Sequence, residues 1–549
     1  MKPVVTYEQS TTRRLSGRTR ERKITWSLFV LLLALYLLSA SLRIDSGDGE
    51  KMSQVSYSLV TGQGFAVPVE PVTDDFIGPW GEMKPVEMLT GGDGYGMWGT
   101  DGHYYAKYGL GWSLVAAPLC VLGRTLAGFM PGAVEGFVTR AAVTLLNPLL
   151  TAVSGVLLYY LARCFYPTPL AVTLAVLYGL DTVAWYYAKS TFSEPLVTLL
   201  LLGALYAVEC GHLTAAGTAL GGIVLTRQVA LALAAPVVVW ALMRARQDRP
   251  GRLLRSAISL LIPLALGQLA VFGYNAYRFS DPFENGYGSI AWDTPLFLGL
   301  YSQLLSPGKG MFVFMPVLLL GILGWPMLWR RRRDWGWLIL ALVVFHLVPY
   351  ALYQDWAGGG GWGPRLLLPI VPLILFPAGE IVQRWQLQRI GRIAVAVLVA
   401  VSLFIQVLGV SVNWARHLQR VLDKSATTEE YFYRVHYRWV DSPVLGQVHS
   451  LLEVLALLRN SGSRAALRTL IDTQKQSSLW DWQSQAVGLL SFNVPDFWFV
   501  YLWFLGLPAI WLAGAAWILA SVAAGAALQL RRALVVNTPG IGQFQRARR

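Results

Sequence analysis

Residues 24–50 read ITWSLFVLLLALYLLSASLRIDSGDGE, and this stretch decides the fold. Its first part, residues 24–42, is an apolar run of the length a helix needs to cross about 30 Å of hydrocarbon. Ahead of it lies a tail, residues 1–23, that carries Lys2, Arg13, Arg14, Arg18, Arg20, Arg22 and Lys23. Basic residues flanking a crossing helix stay on the cytoplasmic side. The run therefore delivers the chain to the far side at Arg43, where a polar, acidic word follows: Asp45-Ser-Gly-Asp48-Gly-Glu50. No convincing cleavage site separates the two parts, so the run reads as a retained helix rather than a removed leader.

The rest of the chain repeats this pattern. Of 549 residues, 55% are hydrophobic and 14% charged, with a mean hydropathy of +0.47. A soluble domain carries roughly a quarter charged residues; here apolar runs take their place. Further runs cover residues 141–161, 170–188, 195–207, 213–226 with 229–243, 258–272, 312–329, 337–353, 366–381, 393–412 and 499–528. Residues 109–126 are apolar but short and glycine-spaced, with Pro131 beyond, and read as a surface or half-inserted helix.

Charge tests this order. Basic clusters occur at Arg244, Arg246, Arg249, Arg252 and Arg255, at Arg330 to Arg333, at Arg384, Arg389 and Arg392, and at Arg531, Arg532, Arg546, Arg548 and Arg549. With about 12 transmembrane helices and the N-terminus inside, all four clusters fall in the cytoplasm. The expectation is an all-α polytopic membrane protein of a bacterial inner membrane, with both ends cytoplasmic. It divides into the basic tail 1–23, a membrane region 24–412, an external segment 413–493, and a last helix with a basic tail over 494–549. The first external loop, residues 43–108, holds ten Asp and Glu against four Lys and Arg. No internal repeat is visible, so the inverted-repeat signature of many transporters is missing.

The net charge of +14 does not point to nucleic acid, because the basic residues stand in short clusters beside apolar runs. Cys120, Cys164 and Cys210 are far apart and form no CxxC pair; six histidines form no HxxxH pattern. Neither a disulfide framework nor a zinc site is indicated.

The unusual polar words collect on the external side. They are the Asp45–Glu50 word, Asp101-Gly-His-Tyr-Tyr-Ala-Lys-Tyr-Gly109, Trp185-Tyr-Tyr-Ala-Lys189 leading to Ser193-Glu194-Pro195, Ser306-Pro-Gly-Lys-Gly310, and Trp356-Ala-Gly-Gly-Gly-Gly-Trp362-Gly-Pro-Arg365. Cytoplasmic connections are short and plainly basic. The working site is expected in a cavity at the outer face. A carboxylate there can take a proton from an attacking hydroxyl. Cations can stabilise charge on a departing phosphate, and arginine's fork can hold two phosphate oxygens. Tyrosine and tryptophan, such as Tyr105 and Trp362, offer flat faces to sugar rings.

Each candidate also has a plainer reading. Asp48, or Asp45 in reserve, is a base or a loop acid capping the next helix. Asp101 orients an acceptor or closes an Asp-Gly turn. Lys107 and Lys189 meet phosphate or snorkel at the interface. Glu194 lines the site or complements a helix dipole. Arg227, inside apolar sequence, is a functional candidate by default or marks a helix break. Lys309 and Arg365 are the preferred phosphate contacts, against an exposed turn and an interfacial anchor. Arg278 and Arg330 to Arg333 read as topology or headgroup contacts.

In their order and sidedness these words resemble the GT-C superfamily of membrane glycosyltransferases, including the protein O-mannosyltransferases and the aminoarabinose transferase of lipid A. The resemblance spans about residues 24–412. It implies a GT-C-like bundle with a long first extracytoplasmic loop, and a sugar donor linked to polyprenyl phosphate. The acceptor would be a lipid, glycan or protein at the outer face. The resemblance also implies that an acidic residue after the first helix is the base, a position matched by Asp48. Many relatives have adjacent Asp-Glu there, whereas Gly49 separates Asp48 from Glu50. The expected activity is an inverting hexosyl- or pentosyltransferase. Donor phosphate would meet Lys309, Arg365, Lys107 and Arg227; Asp101, Tyr105, Glu194 and Trp362 would line the substrate site. No cofactor is required by the visible residues; a divalent ion on the carboxylates is compatible with them but not indicated. Two alternatives stand beside this: a transporter or flippase of a lipid-linked glycan, and a glycan polymerase or ligase of another membrane fold.

Overall fold

A computed structural model of the chain describes residues 7–68, 94–130, 134–248, 250–288, 291–476 and 482–535. Part of the segment 43–108, with Lys2, Arg249, Arg546, Arg548 and Arg549, lies outside the described residues, as do the side chains of Arg13, Arg14 and Arg18. The elements in chain order are α1 (Tyr7–Leu38), α2 (Gly47–Val60), β1 (Gly96–Trp98), β2 (Tyr104–Ala106), α3 (Leu110–Ala127), α4 (Glu135–Thr144), α5 (Leu146–Arg163), α6 (Thr168–Leu180) and α7 (Ala184–Lys189). Next come α8 (Glu194–Glu209), α9 (Leu213–Thr226), α10 (Leu231–Asp248), α11 (Leu253–Phe279), α12 (Leu296–Leu304), α13 (Met311–Phe314), α14 (Leu318–Arg331) and α15 (Arg333–Leu352). A 3-10 turn, Arg365–Ile370, leads into α16 (Val371–Leu375), α17 (Ala378–Trp385) and α18 (Arg389–Ser411). The last part contains α19 (Ala415–Leu422), α20 (Thr428–Tyr437), α21 (Pro443–Arg459), α22 (Ser461–Gln476), α23 (Trp482–Ser491), α24 (Trp498–Phe504) and α25 (Ala509–Val535).

Every apolar run read from the sequence is helical, but the helices do not follow the runs end to end. Helix α1 begins within the basic tail and stops at Leu38, four residues before the run ends. Lys, Arg, Glu and Gln are good helix formers, so hydropathy marks where the bilayer begins and not where the helix does. Seven stretches among the described residues are long and apolar enough to cross a membrane; the bent pair Arg365–Leu375 and Ala378–Trp385 would make an eighth. Leu110–Ala127 is one of the seven, an unbroken 18-residue helix where the sequence suggested a half-inserted one. The remaining runs are short, as in α6, α8 and α9, or interrupted at Arg227, at Pro316 and at Gly506 to Pro508. Proline, which lacks an amide hydrogen, and Gly506, in left-handed backbone, break the ladder at the last two, whereas Arg227 turns to extended backbone. Residues 413–493, mixed in charge, are mostly helical where described, from α19 to α23.

The bundle has two chemically distinct ends. At one, Glu209 at the end of α8 pairs with Arg244 (2.7 Å) and Arg332 (3.2 Å), and Arg331 pairs with Glu380 at 2.6 Å. Beside them α1 begins and α25 ends, joined where Arg20 Nε donates to the Ala533 carbonyl at 2.7 Å. Thus Arg244 and Arg330 to Arg333 share one end, and helices α1 and α25 run antiparallel. At the far end of that pair, Trp498 Nε1 donates to the Leu37 carbonyl at 3.0 Å. Helices α9 and α11 touch through glycines: a Cβ on Gly217 would fall 2.2 Å from the Leu260 carbonyl oxygen, and one on Gly221 2.7 Å from that of Pro263. Small residues allow such backbone approach where no hydrophobic force drives helices together.

A carboxylate and guanidinium cluster at one end of the bundle

The far end is built around the first turn of α2. Ser46 caps it, accepting from the Gly49 amide at 3.1 Å. Gly49 is pressed against the loop after α7, since a Cβ there would lie 2.4 Å from the Thr191 carbonyl oxygen. That loop is held by Asn147, whose Nδ2 donates to the carbonyls of Ser190 (2.5 Å) and Phe192 (2.9 Å) and whose Oδ1 accepts from Trp112 Nε1. Asp45 belongs to the same scaffold. Its carboxylate accepts from the Thr191 amide at 3.1 Å and from the Tyr186 hydroxyl at 3.4 Å.

Asp48 points elsewhere. One oxygen accepts from the Tyr108 hydroxyl at 2.7 Å, the other from Arg365 Nη1 at 2.8 Å. Arg365 lies 3.5 Å from Glu194 through its Nε, and Arg227 Nη1 donates to the same Glu194 oxygen at 2.6 Å. Arg227 Nε in turn donates to the Tyr350 hydroxyl at 3.1 Å. The chain Asp48–Arg365–Glu194–Arg227 alternates in sign over side chains drawn from α2, the turn after Pro364, α8 and the break between α9 and α10. Glu194 is 1% exposed and Asp48 23% exposed, so the outermost carboxylate is the one that a substrate can reach. Arg365 Nε is buried and faces Glu194 as an ion-pair contact, too long for a hydrogen bond of good geometry.

Electrostatics set the state of the exposed groups. Burial would raise the Asp48 carboxyl, but Arg365, the Tyr108 hydroxyl and Lys107 outweigh it and hold the group below the ordinary carboxylate range. Burial, with Asp48 beside it, pushes Tyr108 well up, so its hydroxyl stays a donor.

Lys309 lies on a turn where Ser306 Oγ accepts its amide at 3.2 Å. Its ammonium donates to the carbonyls of Gly359 (3.1 Å) and Gly361 (2.7 Å) on the glycine loop that ends in Arg365. Burial, and to a lesser degree Arg365, push it down to about 7, partly opposed by Asp355. Helix α20 and the start of α21 support this turn: the Gly308 amide donates to the His436 carbonyl at 3.3 Å, Ser442 Oγ donates to that of Pro307 at 2.8 Å, and Trp356 packs on Phe432 and His436.

Other candidates stand apart. Lys107 donates to the Gly94 carbonyl at 2.8 Å and faces the rings of Tyr95, Tyr108 and Tyr287. Asp101 closes the β1–β2 turn, accepting from the His103 amide (3.0 Å) and the Tyr105 hydroxyl (2.6 Å). The Tyr105 ring is buried against Tyr277 and Phe279. Trp362 is buried against Phe314 and Gly409, and its carbonyl accepts from the Tyr187 hydroxyl. Two basic residues leave the interface where the sequence placed them. Lys189 is buried and pairs with Asp496 at 3.0 Å, and Asp496 also pairs with Arg43 at 3.3 Å. Arg278 is 2% exposed, bonded to Asn275 at 2.7 Å and stacked on Tyr274. The long helices around them supply enough carbonyls, carboxylates and ring faces to satisfy both cations inside the protein. Tyr108, Tyr350, Asp355 and Asp496 had no role in the sequence reading; Tyr108 lies inside a quoted word and Asp355 immediately before another. A cavity of about 520 Å³ lined by His212, Arg252, Arg255 and Ser256 lies at the opposite end of α8 from Glu194.

Fold and site together define a multi-pass helical membrane protein with an alternating carboxylate and guanidinium cluster at one end of the bundle. Two solved structures are similar to it: crystal structures of ArnT from Cupriavidus metallidurans, one bound to undecaprenyl phosphate and one in the apo state. The first is 15% identical, with 84% of each chain covered and a TM-score of 0.42. The second is 14% identical, with 85% of this chain and 84% of that one covered and a TM-score of 0.45. No family model matches the sequence, and no curated protein matches it.

Proposed function

We propose that the chain is an inverting glycosyltransferase that moves a sugar from a polyprenyl-phosphate donor to an acceptor hydroxyl at the outer face of the membrane. The observation that carries this reading is the Asp48–Arg365 contact. It sets a reachable carboxylate beside a guanidinium, at the end of the bundle opposite the arginine-rich one. Base and phosphate clamp are the two parts that glycosyl transfer from a lipid phosphate needs.

In the proposed step Asp48 takes the proton of the acceptor hydroxyl. The hydroxyl oxygen bonds to the anomeric carbon as the bond from that carbon to the phosphate oxygen breaks. The electron pair leaves on the lipid phosphate, and Arg365 and Lys309 stabilise its charge. Attack and departure on opposite faces invert the anomeric centre, with no covalent enzyme intermediate. Lys107 adds to the positive field, and Arg227 fixes Glu194 and through it Arg365.

The test uses purified protein in lipid nanodiscs, a panel of polyprenyl-phosphate sugars with acceptor lipids and glycans, and mass spectrometry of released polyprenyl phosphate. Asp48→Asn should fold as the native chain does and lose about 10²- to 10⁴-fold in release, the usual worth of a general base. Equal release from both would remove Asp48 from that role. Binding of every donor with release from none would replace the enzyme by a lipid-glycan transporter.

A further inference from the structure

Helices α9 and α11 touch at Gly217 and Leu260, then at Gly221 and Pro263, so they run parallel and begin side by side at the arginine-rich end. Before the first of these contacts their opening turns part, and the cavity of about 520 Å³ lies there. Gly211 to Ala215 form one wall; Arg252, Arg255, Ser256 and Ser259, which share one face of α11, form the other. Neither helix neutralises its own start. His212 and Arg252 stand at the N-cap positions without a side-chain cap, and neither first turn holds an acid. A helix start carries partial positive charge, which acids relieve and cations worsen. Here two such starts meet two guanidiniums and an imidazole, with no carboxylate among the lining residues. Both guanidiniums are exposed and make no ion pair or hydrogen bond among the described residues. Glu209, three residues before His212, is already taken by Arg244 and Arg332.

The cavity adjoins lipid. Leu253–Phe279 is the least buried of the seven spanning stretches among the described residues. From Arg255 an apolar stripe of Ile262, Leu266 and Leu269, all exposed, continues along the same side of α11 at helical spacing. A free anion would use the cavity alone; a lipid would use the cavity and the stripe. We propose that this cavity binds the phosphate headgroup of an anionic membrane lipid, whose acyl chain lies along Ile262, Leu266 and Leu269. Arg252 and Arg255 hold the phosphate, since arginine's fork matches two phosphate oxygens, and the hydroxyls of Ser256 and Ser259 donate to it. Basic pockets between spanning helices suit such headgroups because the charge is met where the apolar tail can stay in hydrocarbon. The site is separate from the transfer chemistry at the other end of the bundle.

The test titrates phosphatidylglycerol, phosphatidylcholine and inorganic phosphate onto the purified full-length chain in detergent, with native mass spectrometry counting bound lipid and the thermal unfolding midpoint reporting all three probes. The native chain is expected to bind phosphatidylglycerol in preference to phosphatidylcholine of the same chain length. Arg252→Gln with Arg255→Gln should weaken that binding about 10- to 30-fold, at about fivefold for each guanidinium facing an anionic headgroup. Both side chains are exposed, so the pair should fold as the native chain does. Arg330→Gln with Arg333→Gln removes the same charge from the same end and should leave the binding unchanged. Ser256→Phe, which fills the cavity and keeps both arginines, should lose it. Equal weakening by the two arginine pairs would show a diffuse field of charge with no site and overturn the proposal. A native chain that binds phosphatidylcholine equally would do the same. So would one that binds inorganic phosphate as tightly as the lipid, because the apolar stripe would then contribute nothing.

Discussion

At the residue scale the informative group is Lys309. Its ammonium is buried on two carbonyls, 3.1 Å and 2.7 Å away, and burial with Arg365 brings its proton affinity down to about 7. In the proposed phosphate role of Lys309, the free protein holds a neutral amine there above about pH 7, so binding a phosphate must draw in a proton, and affinity for undecaprenyl phosphate should fall by up to about tenfold per pH unit. Below that pH the lysine is already charged and the dependence should flatten. Titrating lipid binding from about pH 6 to 9 measures this. Lys309→Arg, which stays charged throughout, should remove the slope. A slope that persists in that variant would locate the titrating group elsewhere. Asp48 behaves in the opposite sense: held below the ordinary carboxylate range by Arg365, Tyr108 and Lys107 against the upward push of burial, it is ionised and ready at neutral pH.

At the element scale the segment after α1, the end of α7 and the final helices are tied together by one carboxylate. Asp496 pairs with Arg43 and Lys189 and accepts from Tyr501, and the Lys189 ammonium also donates to the carbonyls of Val410 and Asp496. Both members of the lysine pair are 3% exposed. Removing one partner of a buried pair strands the other charge, at a cost of about 3–5 kcal/mol. Asp496→Ala is therefore expected to lower the thermal unfolding midpoint in detergent far more than Asp101→Ala, whose carboxylate is 45% exposed in a surface turn. Equal shifts would show that the network is not holding these elements. The sequence placed Lys189 at the interface because a lysine beside tyrosines at a helix end reads that way. Its partner lies 307 residues on, outside any local pattern.

At the scale of the whole molecule the bundle separates its charges by end. Arg20, Arg244, Arg331 and Arg332 gather where α1 begins and α25 ends; Asp48, Glu194, Arg227, Lys309 and Arg365 gather at the other end. Exposed cysteines report on this arrangement. Cys164 and Cys210, at the ends of α5 and α8, lie with the arginine-rich end. If that end faces the cytoplasm, a membrane-impermeant maleimide should leave both untouched in intact cells and label them after permeabilisation. A cysteine introduced at Glu429, on α20, should be labelled in both conditions. Labelling of Cys164 in intact cells would reverse the orientation.

The sequence by itself determined the polytopic helical class, the gathering of arginine clusters at one end and the grouping of the polar words at the other. These properties come from solvent: hydrocarbon tolerates only apolar runs of spanning length, and basic loops resist translocation, so both leave local traces. Asp48, Arg365, Glu194, Arg227 and Lys309 were legible as candidates because a charge beside or within apolar sequence is costly. Only the tertiary structure decided how they group. It set Asp48 on Arg365 and Asp45 on a loop amide, joined Arg227 to Arg365 through Glu194, turned Trp362 into packing, and brought Tyr108 and Asp355 to a cluster that they share with residues far off in the chain. Those contacts depend on which helix ends meet, and helix ends meet through side-chain packing between segments hundreds of residues apart, for which no local spacing encodes the answer.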